Sequence, residues 1–341
     1  RTYRREGIFT PAVEDIISHT MMSNDEKILS LLKTYFEPDD YFLVYKRMIG
    51  TGCIGGKACG MLLARKIIQK ENPEAFAHME PHDSYYLGSD VFYTYIVHNK
   101  FWRLHIHQKT KQGYFKLAPE LEQAFLSGSF PESIRLQFIR MLEYFGQRPI
   151  IVRSSSLQED AFGNAFAGKY ESVFCINNGT MDERLTELEN AVRTVYASTM
   201  NPSALEYRRQ RGLGFKDEQM ALLIQRVSGS MYEDFLMPNA AGVGYSYSAY
   251  KWDDSIDASD GMLRLVMGLG TRAVDRTEGD YPRIVNLSAP ERSTLTESWA
   301  KHQYSQRYVD LMDYTTKSLS SRPLKDVTPY MDSWYKKLVL E

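Results

Sequence analysis

Apolar residues recur at helical spacing from Ala12 to Phe36, and Ser23–Glu26 (SNDE) reads as a capping box that splits this stretch into two helices. Tyr41–Tyr45 (YFLVY), aromatic and β-branched, predicts a short strand. A glycine-dense turn, Gly50–Gly56, then leads into a helix over Lys57–Ile68. Ser84–Phe101 mixes both periods, whereas Ala118–Phe145 reads as mostly helical. Pro149–Val152 predicts a buried strand that delivers Arg153 into three serines. A polar loop to Gly168 and a returning strand over Glu171–Ile176 follow. Asp182–Ser198 has an amphipathic helical pattern. Strand-like runs at Met220–Val227, Ala241–Tyr247 and Met262–Met267 bunch closely enough to predict an antiparallel sheet. From about Pro290 the pattern is again helical, with a break near Pro323. The expected class is α+β, helix-rich first and sheet-rich second.

Composition narrows this picture without redirecting it. The chain has 341 residues, 43% hydrophobic and 25% charged, which is ordinary for a globular protein large enough to fold as two lobes. Lys and Arg total 41 against 43 Asp and Glu, a net charge of −2 that gives no support to nucleic-acid binding by bulk charge. No apolar run reaches the ~20 residues of a membrane helix, so no membrane partner is expected. Three cysteines cannot build a disulfide framework, which points to a reducing, cytoplasmic location. The sequence starts at Arg1 without a Met and stops at Glu341 within a helical pattern, as a piece of a longer polypeptide would.

Three segments could carry chemistry. Gly50, Gly52 and Gly55 fit G-x-G-x-x-G after a strand and before a helix, a dinucleotide pattern, but no strand ending in an acid follows at the expected distance. A P-loop is excluded by Thr51 and Ala58, which occupy the places of its first Gly and its Mg²⁺-binding hydroxyl. A phosphate grip also fits: the amides of Gly55 and Gly56 and the following helix N-terminus face an anion, with Lys57 as a point charge. The bland counterpart is a plain strand-to-helix turn with a solvated lysine.

The second segment is Ile151–Asp160 (IVRSSSLQED), then Gly163–Gly168 and Tyr170–Ser172. An Arg fork beside hydroxyls and small residues suits a polyphosphate, because main-chain N–H groups can approach its oxygens closely. A serine-rich hairpin with Arg153 paired to Glu159 or Asp160 accounts for the same residues equally well. The third is Leu222–Gly229 (LLIQRVSG), an apolar strand opening into polar residues, as an interlobe hinge or an ordinary core strand would. His105-x-His107 would place two imidazoles on one strand face, the beginning of a zinc site without cysteine or carboxylate partners at ligand spacing.

In order and spacing, these segments resemble the nucleotide-binding domain of the pyruvate phosphate dikinase and phosphoenolpyruvate synthase family over roughly residues 50–285. Ile54–Ala58 (IGGKA) is similar to the family's G-G-K-[AG] opening, and Pro81–Phe92 to its Pro–aromatic–Thr segment. Arg153-Ser-Ser, Glu159-Asp160, Phe166–Gly168 and Glu171-Ser172 follow R-S-S-x3-E-D-x5-F-A-G-x2-E-[TS] without a gap. Ile224–Val227, Ala241–Ser246 and Gly268–Gly270 resemble the hinge strand, the A-G-V strand and the G-L-G strand end.

The resemblance implies a two-lobed ATP-grasp-like fold with a helical N-terminal extension, divided as 1–45 extension, 46–220 first lobe and 221–341 second lobe. It implies ATP and Mg²⁺ as cofactors and transfer to a histidine on a swivelling phosphohistidine domain. That domain and a pyruvate- or phosphoenolpyruvate-binding domain would lie downstream in the same polypeptide. Carried onto this chain, Lys57 and Arg153 would be catalytic and hold the phosphates, with Gly55, Gly56 and Ser154 beside them. Gly168 and Ser172 would belong to the loop over the phosphates, and Gln225, Arg226 and Val227 to the adenine-facing hinge. Thr271 stands where the family has Glu after G-L-G, and the Mg²⁺-binding Glu and Q-x-R-P strand find no match before Glu341, so the metal ligands are unassigned. A chain without those parts would be a non-catalytic adenine-nucleotide-binding or scaffolding module, the other reading of the same residues.

Overall fold

The apolar runs around Ile151 and Leu223 become two of the three inner strands of a five-stranded sheet. The computed structural model describes residues 9–159, 168–251, 254, 256–274, 279–292 and 303–331. These fall in two units, Arg1–Arg226 and Val227–Glu341. In the first unit, β1 (Met48–Ile49), β2 (Ser84–Leu87), β3 (Ile150–Ser156), β4 (Ser172–Cys175) and β5 (Met220–Arg226) pair in the order β1-β2-β5-β3-β4. β1 and β2 are parallel and every other pairing is antiparallel. The unit boundary falls after Arg226, later than the expected division at 220/221, because β5 lies between β2 and β3 in this sheet.

Strand residues alternate between faces, so β2 and β5 each serve two cores. Ile150, Val152, Leu222 and Ile224 pack into a cluster with Phe92, Phe125, Phe138 and Tyr196. Those side chains come from helices numbered here in chain order. They are α1 (Pro11–Ile17), α2 (Glu26–Tyr35), α3 (Pro38–Lys46), α4 (Gly56–Glu71), α5 (Pro73–Ala77), α6 (Ser89–His98), α7 (Trp102–Gln108), α8 (Ala118–Ser127), α9 (Glu132–Phe145), α10 (Met181–Ala197) and α11 (Pro202–Gln210). Phe125 and Phe138 are fully buried, each worth roughly 2–3 kcal/mol of transfer free energy. Leu223 and Tyr86 point to the opposite face and join Leu32, Tyr41, Ile54, Ala58 and Leu62, so α4 rides on that face together with α2 and α3.

Several expectations change. The strand predicted at Tyr41–Tyr45 is the body of α3. Pro38 occupies its first turn, and Glu37 and Asp40 form a reciprocal capping box, with Glu37 N–H donating to Asp40 Oδ2 at 2.9 Å. Those start signals outweigh the strand propensity of YFLVY. The split near Ser23 does occur, but the cap is Asp25, whose Oδ1 accepts from the N–H of Lys27 and Ile28 at 2.9 and 3.1 Å. His105 and His107 sit on α7 rather than on a strand, and residues two apart on a helix do not share a face.

The second unit holds two sheets. Its strands are β6 (Ser230–Tyr232), β7 (Phe235–Met237), β8 (Ala241–Tyr245), β9 (Met262–Val266), β10 (Arg283–Asn286), β11 (Tyr308–Asp313) and β12 (Ser318–Pro323). They pair as β10-β9-β8 and β12-β11-β7-β6. The three strand-like runs therefore do not share one sheet, since β5 belongs to the first unit while β8 and β9 pair with each other. The helix expected after Pro290 is overturned over Tyr308–Pro323, which forms the antiparallel β11–β12 pair, and residues 293–302 and 332–341 lie outside the described part. Phe235, Met237, Met267, Val309 and Leu311 make the core here. Arg322 ties the edge, donating to Asp313 Oδ2 at 2.8 Å and Asp234 Oδ2 at 3.0 Å.

Candidate functional site

The glycine turn is held open by the segment that follows β2. Asp90 accepts from the N–H of Thr51 at 2.9 Å and of Gly52 at 2.7 Å, and Ser89 Oγ accepts from Cys53 N–H at 3.2 Å. Gly55, at φ 84°, is the N-cap of α4. A Cβ on Gly55 would lie 1.4 Å from the Ser155 carbonyl oxygen, and one on Gly56 would lie 1.9 Å from that of Glu159. Glycine is required at both positions because the Ser155–Glu159 turn presses directly on the helix start.

The start of α4 therefore meets protein groups. Ser155 Oγ accepts from Ala58 N–H at 3.0 Å and donates to the Ile54 carbonyl at 2.9 Å. Lys57 Nζ donates to Ser154 Oγ at 3.2 Å and reaches Glu159 Oε1 at 3.3 Å. The anion beside the lysine is thus Glu159, whose side chain is 3% exposed against 22% for that of Lys57. Glu159 also accepts from Ser154 Oγ and from Ser156 N–H, both at 2.8 Å. Burial raises its carboxyl above the ordinary value, and Lys57 is the largest influence opposing that rise.

A second carboxylate sits behind the first. Glu218 accepts from Tyr170 Oη at 2.6 Å and from Ser156 Oγ, and the Arg208 guanidinium lies 3.5 Å from it. Glu218 and Arg208 are both nearly inaccessible, so the pair fixes Ser156 from the interior. Burial pushes the Tyr170 hydroxyl well up, keeping it a neutral donor. No motif marks Glu218, which precedes the apolar run of β5. Glu159 stands inside the Arg153 motif, but its role as the counter-charge of Lys57 is visible only in three dimensions.

The other expected site residues are distributed as follows. Arg153 lies opposite Ser172 on β4 and donates from Nη1 to Gln225 Oε1 at 3.4 Å. Gln225 in turn donates to Ser84 Oγ at 3.2 Å. The expected pairing of Arg153 with Glu159 is not the one seen for Glu159, whose cationic partner is Lys57. Arg226 is turned to Glu80 at 2.8 Å and Asp83 at 3.7 Å. Gly168 is exposed, with φ 69°, and Val227 is the buried first residue of the second unit. Asp160 and residues 163–167 of the motif lie outside the described residues.

His105 is 2% exposed, and burial, with the Lys109 charge second, lowers its pKa to about 3. A zinc site at His105 and His107 thus lacks its geometry, and among the described residues no His, Cys, Asp and Glu converge in a set of three or more. Likewise, none of the helices described is long and apolar enough to cross a membrane.

The arrangement is a cation from the start of α4, beside Ser154 and Glu159, and a guanidinium from β3, beside Gln225. Such a set can bind an anion with several oxygens. No curated protein matches the chain. A family profile described as "Pyruvate phosphate dikinase, AMP/ATP-binding domain" matches residues 51–327, from the glycine turn through β3, β5 and β11. With that match covering most of its length, the chain belongs to the family of pyruvate phosphate dikinase AMP/ATP-binding domains.

Proposed function

We propose that the chain is the ATP-grasp-like, ATP-binding domain of a phosphotransferase of the phosphoenolpyruvate synthase or pyruvate phosphate dikinase kind. It uses Mg·ATP to phosphorylate a histidine on a swivelling domain elsewhere in a cytoplasmic polypeptide. A pyruvate- or phosphoenolpyruvate-binding domain there completes the transfer. One observation supports this reading most directly: Lys57 and Ser154, 97 residues apart, meet within 3.2 Å. The two motifs of the resemblance therefore form one cluster.

In this reading Lys57 and Arg153 hold the phosphates and offset the charge that spreads over the phosphoryl oxygens during transfer, work done by position and electrostatics. Gly55 and Gly56 let the Ser155–Glu159 turn close on the start of α4 and so bring Ser154 to Lys57, Gly168 and Ser172 belong to the phosphate loop, and Gln225–Val227 face the adenine. To grip a phosphate, the Lys57 ammonium shares or exchanges its Glu159 partner. Mg²⁺ would be held by phosphate oxygens, waters and one or two carboxylates that are unassigned here.

Calorimetric titration with Mg·ATP tests the assignment. Wild type binds, and Lys57→Ala and Arg153→Ala each weaken binding by about tenfold or more, roughly 1.4 kcal/mol. Unchanged affinity in both variants overturns their roles. Binding without any phosphohistidine in the full polypeptide leaves the non-catalytic module instead.

A further inference from the structure

A cavity of about 350 Å³ opens between α3, α4 and the segment Pro81–Ser84. That volume is in the range of small-molecule sites. Its walls belong entirely to the first unit, and neither Lys57 nor Arg153 lines it. The wall formed by α3 and by Arg47 just after it precedes residue 51, where the family match begins. The cavity is therefore built partly by helices that the matched domain does not include.

One part of its lining is apolar, formed by Phe36, Leu43, Leu62 and Phe76. The rest carries Arg47, Arg65 and Lys66 against Asp40 and Asp83. Three of these charges are already matched. Lys66 Nζ lies 2.7 Å from Asp40 Oδ1, while Asp83 accepts from Tyr144 Oη at 2.9 Å and faces Arg226 at 3.7 Å. Two guanidinium groups remain. Arg47 lies 3.6 Å over the Tyr144 ring, and its Nη1 is buried with no hydrogen-bond partner among the described residues. Arg65 stacks on Phe76 at 5.4 Å and donates from Nη1 to the Glu80 carbonyl at 3.1 Å. Stacking of this kind fixes the plane of a guanidinium and leaves its edge donors to recognise an anion.

His82 registers the field of both. Burial first, then the Arg65 charge, and more weakly that of Arg47, hold its pKa below the ordinary imidazole value, with Asp83 opposing. The ring is thus a neutral group in a net positive environment, hydrogen-bonded to Ser84 Oγ at 3.2 Å. We propose that this cavity binds a small amphipathic anion, with a carboxylate or phosphate head on Arg47 and Arg65 and an aromatic or branched aliphatic body against Phe36, Leu43 and Phe76. Neither Lys57 nor Arg153 lines this site, although its Ser84 accepts from Gln225 and its Asp83 faces Arg226, so Lys57→Ala serves as the control that separates the two.

Phenyl phosphate and 3-phenylpropionate serve as probes on the full chain, with inorganic phosphate and benzyl alcohol as head-only and body-only controls. At least one probe binds saturably, about tenfold more tightly than either control. The bound head raises the His82 pKa, read from its ring resonances by NMR. Arg65→Gln weakens binding about tenfold. Leu43→Asp, at a position that is 58% exposed and tolerant of change, does the same by placing a carboxylate at the mouth. Lys57→Ala leaves binding unchanged. The proposal falls if neither probe binds, if benzyl alcohol binds equally well, or if Lys57→Ala abolishes binding while Arg65→Gln and Leu43→Asp do not.

Discussion

At the scale of single residues, the decisive relation is between Lys57 and Glu159. The ammonium stands 3.3 Å from a carboxylate that is almost wholly buried, and the same carboxylate holds Ser154 Oγ and Ser156 N–H. Glu159 therefore positions Lys57 and also competes with any phosphate for it. Burial raises the Glu159 carboxyl above its ordinary 4.5, so protonation begins from higher pH than for a solvated glutamate. A raised folded value means that the folded state binds the proton better. The resulting contribution to stability is present below 4.5 and is lost as pH rises through the folded value. The same protonation releases Lys57. ATP affinity in the wild type accordingly strengthens as pH falls through the raised Glu159 value, whereas Glu159→Gln, which keeps an acceptor for Ser156 N–H, binds ATP several-fold more tightly than wild type above that value and loses that pH dependence. Parallel titration curves for the two proteins across this range would refute the competition.

At the scale of elements, α4 concentrates the most consequences. Its first residues meet the backbone of the Ser155–Glu159 turn, and Gly55 has φ 84° with a would-be Cβ 1.4 Å from a carbonyl oxygen. Gly55→Ala thus costs about 3 kcal/mol or more, since neither the dihedral nor the backbone oxygen can yield cheaply. Gly60, in the same helix with no atom of the described residues within 4 Å of its would-be Cβ, behaves oppositely: Gly60→Ala stabilises by roughly 0.5–1 kcal/mol. Urea denaturation of the two variants checks the contrast, and similar losses at both positions would contradict it. The start of α4 was legible because glycines, a lysine and an apolar helical period coincide there. β3 and β5 were legible because buried strands read as continuous apolar runs. α3 was not, because Tyr41–Tyr45 has strand composition while its capping box spans only Glu37–Asp40. β12 escaped for the opposite reason: Ser318–Pro323 has no buried residue and is serine-rich, with almost no apolar alternation to mark a strand.

At the scale of the whole molecule, the residues proposed to grip phosphate are gathered in one of its two units. Lys57, Arg153, Ser154, Gly168 and Ser172 all precede Val227, in the unit built on the sheet whose strands feed both of its cores. A ligand held there stabilises the native unit by mass action, about 2.7 kcal/mol at hundredfold excess over its dissociation constant. That free energy is visible where exchange requires global opening, in the amides of β3 and β5, whose Val152, Leu222 and Ile224 are fully buried. Saturating Mg·ATP slows hydrogen exchange of those amides about a hundredfold, and Lys57→Ala forfeits most of the gain. The location of the protection is as informative as its size. Slowing confined to β7, β9 and β11, with β3 and β5 unaffected, would move the nucleotide to the second unit and leave the Lys57–Glu159 cluster a structural ion pair.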